Sequence, residues 1–197
     1  LSEFQKRKIN LHLLVGNHDT YYKNTSEVNS LEELIKYPRI KVYKDPAVVK
    51  FDDLPILFVP WINSNNYDFT LKNLKEARSD IIMGHLEING FEMHRGQIAQ
   101  GSYDKELFRR FDTVFSGHYH HKSDDGQIYY LGTPYEIMWN DYDDPKGFHI
   151  FDTETRELER IVNPYKMFKK IFYDDTMVDY TKEDVNQYKE CYVKLIV

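Results

Sequence analysis

Three times in this chain a compact apolar run ends in a glycine followed at once by histidine or asparagine. Leu11, Leu13, Leu14 and Val15 lead into Gly16-Asn17-His18-Asp19. Ile81-Ile82-Met83 leads into Gly84-His85, and Val114-Phe115 leads through Ser116 into Gly117-His118-Tyr119-His120. Short apolar runs bounded by glycine predict buried strands, so the polar residues fall where strands end and the chain turns. In open α/β sheets the carboxyl ends of strands are where ligands bind. Imidazole nitrogens and an amide oxygen converging there would make a metal site.

The remaining strand and helix signals set the architecture. Strands are expected over residues 9–15, 39–43, 47–51, 54–61, 80–84, 112–116 and 127–131, with a hairpin formed by 147–153 and 157–162. Thr25 or Ser26 can cap a helix running to Tyr37, where Pro38 stops it. A second helix is expected from Asn66 or Asp68 to Arg78, with Leu71 and Leu74 on one face, and shorter ones over 105–110 and 182–189. Residues 86–102 read as a long loop carrying His94 and Arg95. Strands outnumber helices, yet βα alternation persists in the first half. The expected fold is therefore mixed α+β and α/β, with two packed mixed sheets flanked by helices.

A chain of 197 residues, 41% of them hydrophobic, can bury one core. Asn163-Pro164 marks a boundary, giving a main unit of residues 1–162 and an appendage of 163–197. The opening residues read as the last turns of a helix and the end stops within a strand-like run, so a longer parent protein is expected. No run approaches the roughly 18 apolar residues of a membrane span, and no signal-peptide pattern is present. The single cysteine, Cys191, leaves no internal disulfide, which fits a reducing cytosol or leaves the compartment open. With a net charge of −6, no global field draws the chain to nucleic acid, so any such contact must come from a local patch or from bound cations.

Each polar stretch alone has a plain alternative. Gly16-Asn17-His18-Asp19 also suits a tight turn, and His118 with His120 also suits a solvated loop. In the functional reading Asn17 is an oxygen ligand, His18 an acid or electrostatic stabiliser, and Asp19 fixes the His18 tautomer. Mixed nitrogen and oxygen donors suit Mn²⁺, Fe²⁺ or Zn²⁺, whereas the lack of cysteine pairs excludes a zinc finger. His94 and Arg95 can reach a phosphate backbone, and Tyr119 can stack on a base or pack beneath the loop.

Taken in order, Gly-Asn-His-Asp, Gly-His and Gly-His-x-His resemble the motifs of the calcineurin-like metallophosphoesterases. Ile82-Met83-Gly84-His85, Ser116-Gly117-His118-Tyr119-His120 and Gly132-Thr133-Pro134 are most similar to the SbcD-type DNA-repair nuclease branch, and within it to the recombination endonuclease subunits of T-even-type phages. The resemblance covers residues 9–162 and implies a four-layer sandwich. It implies phosphodiester hydrolysis at DNA ends with two Mn²⁺ ions, Mg²⁺ or another divalent ion being an alternative. Asn17, His85 and His118 would then ligate one metal and His120 the other. His18, backed by Asp19, would stabilise the transition state or protonate the leaving group. It also implies an SbcC-type ATPase partner, a homodimer in the full complex, and a location in the cytoplasm of the host cell. The family's upstream Asp-x-His and Gly-Asp motifs are absent from these residues, so N-terminal strands are expected to be missing and this stretch inactive alone. Residues 163–197 would begin a truncated DNA-binding cap. Competing readings are a phosphomonoesterase or protein phosphatase on the same scaffold, and a non-catalytic DNA- or partner-binding fragment.

Overall fold

The computed structural model describes residues 2–174 and 176–197. In chain order the regular elements are α1 (Ser2–Lys6), β1 (Leu11–Leu14), β2 (Ile40–Tyr43), β3 (Ala47–Phe51), β4 (Leu54–Val59), α2 (Tyr67–Glu76) and β5 (Ile81–Gly84). There follow β6 (Glu92–His94), β7 (Gln97–Ile98), β8 (Thr113–Ser116), β9 (Ser123–Asp124), β10 (Ile128–Tyr130), β11 (Gly147–Phe151), β12 (Leu158–Val162), β13 (Phe168–Phe172) and β14 (Tyr192–Ile196).

The apolar runs that end in glycine form the middle of a six-stranded sheet of order β3-β4-β5-β8-β10-β9. Its inner pairs are parallel and its two outer pairs antiparallel. Register explains why both faces are apolar. Leu57, Ile82, Val114 and Ile128 stand side by side, all fully buried, and pack with Leu74 of α2. One residue further along, Phe58, Met83, Phe115 and Tyr129 form the matching row on the other face. A strand buried on both faces has to be apolar throughout rather than alternating.

That second face is covered by Leu14 and Tyr43 from the parallel pair β1–β2, and by Phe151 and Leu158 from the hairpin β11–β12. The expected sheet-on-sheet packing is therefore present, its second layer built of two strand pairs. The flanking helices are thin: among the described residues α2, with ten residues, is the longest, and α1 has five.

Three expectations change. The helix expected from Thr25 or Ser26 to Tyr37 is a series of turns holding one 3₁₀ turn, Glu32–Leu34. Ser26 is buried and accepts a hydrogen bond from the Asn63 amide, while the Asn29 side chain donates to Ser26 O and accepts from Leu31 N. Side chains committed in this way compete with helix formation. The helix expected over 182–189 is replaced by the 3₁₀ turns Tyr180–Lys182 and Val185–Tyr188, opened by Asp179 and Asp184. The loop of 86–102 contains the antiparallel ribbon β6–β7. Beyond Asn163-Pro164, β13 and β14 form a separate parallel pair.

Candidate metal centre

Strand register brings the three polar stretches to one edge. Val59, Gly84 and Ser116 are level neighbours across β4, β5 and β8, and backbone bonds continue the alignment past the strand ends. His85 N–H donates to Val59 O at 2.9 Å and Gly117 N–H to Gly84 O at 2.9 Å, while Trp61 N–H donates to Val15 O at 2.8 Å. The last bond ties the turn after β1 to the exit of β4. Gly16 is required there by contact, since a Cβ at that position would stand 2.9 Å from the His85 ring.

At this edge three side chains converge. His85 Nε2 lies 2.9 Å from Asn17 Oδ1 and 3.2 Å from His118 Nδ1. His118 reaches inward from a left-handed backbone with φ of 80°, a costly conformation for a non-glycine residue that concentrates at functional sites. Its Nε2 faces Glu87 Oε1 at 3.7 Å. Burial, then the neighbouring His118, His18 and His120, pushes the His85 pKa down to about 3. Burial also lowers His118, against the pull of Glu87. Both rings are thus neutral at pH 7, the form that binds metal.

Donors about 2.1 Å from one ion, at tetrahedral to octahedral angles, stand roughly 3.0–3.4 Å apart, and the two spacings here are 2.9 and 3.2 Å. The trio therefore fits a divalent ion as a partial ligand set. Among the described residues no group of three or more His, Cys, Asp or Glu side chains is placed to hold an ion; the Asn17 amide is what completes the trio.

His120 makes contacts outside this trio. It faces Asp141 Oδ2 at 3.5 Å and the His94 ring at 5.8 Å, and its buried Nδ1 has no hydrogen-bond partner. His121 Nδ1 meets Asp144 Oδ1 at 2.9 Å and its other nitrogen faces Glu92. The Gly-His-x-His turn and the segment carrying Asp141 and Asp144 both rest on Lys146, which is buried and donates to His120 O, Asp141 and Asp144.

The structure narrows two of the expected roles. Asp19 Oδ2 accepts from Gly16 N–H at 2.8 Å and closes the turn, while His18 is exposed, with no hydrogen bond between the two side chains among the described residues. Tyr119 is buried at 3% exposure, stacks at 4.4 Å on Tyr130 and donates to Ile88 O, so it packs beneath the loop. His94 lies on β6, turned toward His120, and Arg95 is exposed at the ribbon's turn, 3.9 Å from Asp143. Sequence reasoning missed Glu87 and Lys146. The one available signal was the carboxylate two residues beyond Gly84-His85.

A glycine-closed strand edge carrying Gly-Asn-His-Asp, Gly-His and Gly-His-x-His over a two-layer β core defines a phosphoesterase. The chain belongs to the calcineurin-like phosphoesterase family, whose model matches residues 1–122 and whose members use divalent metals. It is 38% identical over 166 residues to exonuclease subunit 1 of Enterobacteria phage T4, covering 84% of this chain and 49% of that protein. It is 25% identical over 178 residues to the SbcD component of the SbcCD nuclease of Staphylococcus epidermidis, covering 77% of this chain and 48% of that protein. The chain thus spans about half the length of the curated relatives it matches.

Proposed function

We propose that this chain carries the imidazole half of a metal-dependent nuclease centre that hydrolyses DNA phosphodiesters. The convergence of Asn17, His85 and His118 carries the reading, supported by similarity to two nuclease subunits. Asn17, His85 and His118 would hold one divalent ion, of the class that mixed nitrogen and oxygen donors suit and Mn²⁺ by the family resemblance, and His120 would serve a second. When bound, such ions acidify a water and neutralise phosphate charge.

The chain's own residues supply the rest. Burial keeps His85 and His118 deprotonated and ready to ligate. His18, exposed beside them, offers an imidazole to the phosphate or to the departing oxygen without being committed to an ion. Asp19 holds the turn that presents it. His94 and Arg95, on the β6–β7 ribbon above His120, are candidates for the phosphate backbone. By the same reading the protein acts in the cytoplasm with an ATPase subunit and a second copy of itself, and residues 163–197 open a DNA-binding cap.

A second reading, binding without catalysis, draws on the lack of a carboxylate within the convergent trio. In the intact protein, Mn²⁺ stoichiometry and cleavage of linear DNA decide between them. Retained Mn²⁺ with Mn²⁺-dependent cleavage supports the nuclease; no retained ion and no cleavage selects the binding module. Hydrolysis of a phosphomonoester with linear DNA left intact would overturn the choice of substrate.

A further inference from the structure

We infer that the groove beside the histidine cluster, formed by Lys23, Trp61, Tyr67 and Tyr103, seats one unstacked nucleobase of the bound DNA strand. This rests on the nuclease reading above and specifies where that substrate's base goes. The groove has a volume of about 480 Å³, and among the described residues none of those lining it is acidic. In a chain of net charge −6 that is a local exception, and DNA contact has to be local here.

The groove is joined to the candidate centre on two sides. Lys23 Nζ stands 5.9 Å above the Trp61 ring and donates to Asn17 O at 3.1 Å, so one ammonium spans the groove floor and the Gly-Asn-His-Asp turn. Trp61 Nε1 donates to Glu87 Oε1 at 3.3 Å, and that carboxylate faces His118. The indole edge is therefore tethered, with the Lys23 ammonium over its ring. Tyr67, at 42% exposure, begins α2 and lines the same groove. Burial raises the Tyr103 pKa, and Tyr67 and Glu87 add to the rise, which fits two neighbouring phenols.

The chemistry selects a base with its phosphate. Aromatic faces stack on any nucleobase, and an exposed ammonium beside them pairs with the phosphodiester. The groove does not read sequence. The Trp61 N–H is committed to Glu87, and the buried Asn63 side chain already donates to Ser26 and accepts from the Asn65 and Asn66 N–H groups. Recognition is by stacking, so thymine and adenine should bind alike.

The chain has two tryptophans, and Trp139 stacks on Phe168 away from this groove. Trp139→Phe leaves Trp61 as the single indole. With EDTA present, unlabelled oligothymidylate is titrated against Trp61 emission, and an end-labelled copy is followed by anisotropy. The inference expects saturable quenching over the range of the anisotropy rise. Lys23→Ala and Tyr67→Ala, both at exposed side chains, should each weaken binding by at least about fivefold with far-UV dichroism unchanged. An anisotropy rise with unaltered Trp61 emission overturns the subsite and leaves the nuclease reading standing. No anisotropy rise overturns the subsite too, and the nuclease reading is then decided separately by cleavage of linear DNA in the intact protein.

Discussion

Lys146 Nζ lies 2.9 Å from Asp141 Oδ1, and the two side chains are 3% and 1% exposed. The same ammonium donates to Asp144 at 2.7 Å and to His120 O at 2.8 Å. Burial alone would raise the Asp141 pKa, yet the Lys146 bond and the Ile137 and Met138 N–H groups hold it below the ordinary carboxylate range. Two buried carboxylates and the Gly-His-x-His loop therefore depend on one cation. Lys146→Met should destabilise the protein by about 3–5 kcal/mol, because removing one member of a buried ion pair strands its partners. Urea unfolding measures this; a loss below about 1 kcal/mol would mean that water replaces the ammonium.

Gly16→Ala tests the close approach between the first turn and His85. The added methyl would stand 2.9 Å from the imidazole, so the ring must move away from Asn17 and His118. Far-UV dichroism should be unchanged, and Mn²⁺ affinity by calorimetry should fall roughly 10- to 100-fold, the scale seen when ligand orientation is disturbed. Unchanged affinity would remove His85 from the ligand set.

His18 and His85 should separate binding from chemistry. In the intact protein His18→Ala should abolish hydrolysis while leaving Mn²⁺ stoichiometry unchanged, since His18 is exposed and outside the convergent trio. His85→Ala should lose the ion first. Loss of metal in the His18 variant would make it a ligand.

Legibility in the sequence followed burial. The runs of β4, β5 and β8 are apolar because both faces of the sheet are covered, and they were readable together with the polar turns at their ends. The helix at Tyr67–Glu76 was readable from Leu71 and Leu74. Where polar side chains serve tertiary partners, local pattern misled: Ser26, a fitting helix cap in sequence, is instead buried against Asn63. The ribbon in 86–102 turns through the two-residue loop Arg95-Gly96, with Gly96 at φ of 76°. This X-Gly hairpin signal is weakened by strands of only two and three residues. The different partners of His118 and His120 were not readable at all, because they depend on the left-handed backbone at His118 and on Lys146 holding the His120 carbonyl.

Stability should fall in mild acid once metal is removed with EDTA. An unfolded histidine titrates near pH 6.5, whereas folded His85 is pushed down to about 3, by burial first and then by neighbouring histidines. Between these values the unfolded chain takes up a proton that the folded chain refuses. Stability is therefore full above about pH 6.5 and declines as pH drops toward 3. His12, His94, His118 and His149 are shifted in the same direction, burial being the largest cause for each. Asp125 and Asp141 lie below the ordinary carboxylate range, so they add to the loss only in stronger acid. The interval from about pH 6.5 to 4.5 thus isolates the imidazoles. The urea midpoint should be level from pH 8 to 7 and fall below about 6.5, and His85→Gln should flatten part of that fall. A midpoint that holds or rises between pH 6.5 and 5 would mean that the histidine edge is open to water, and the neutral, ligand-ready state argued for His85 would be lost with it.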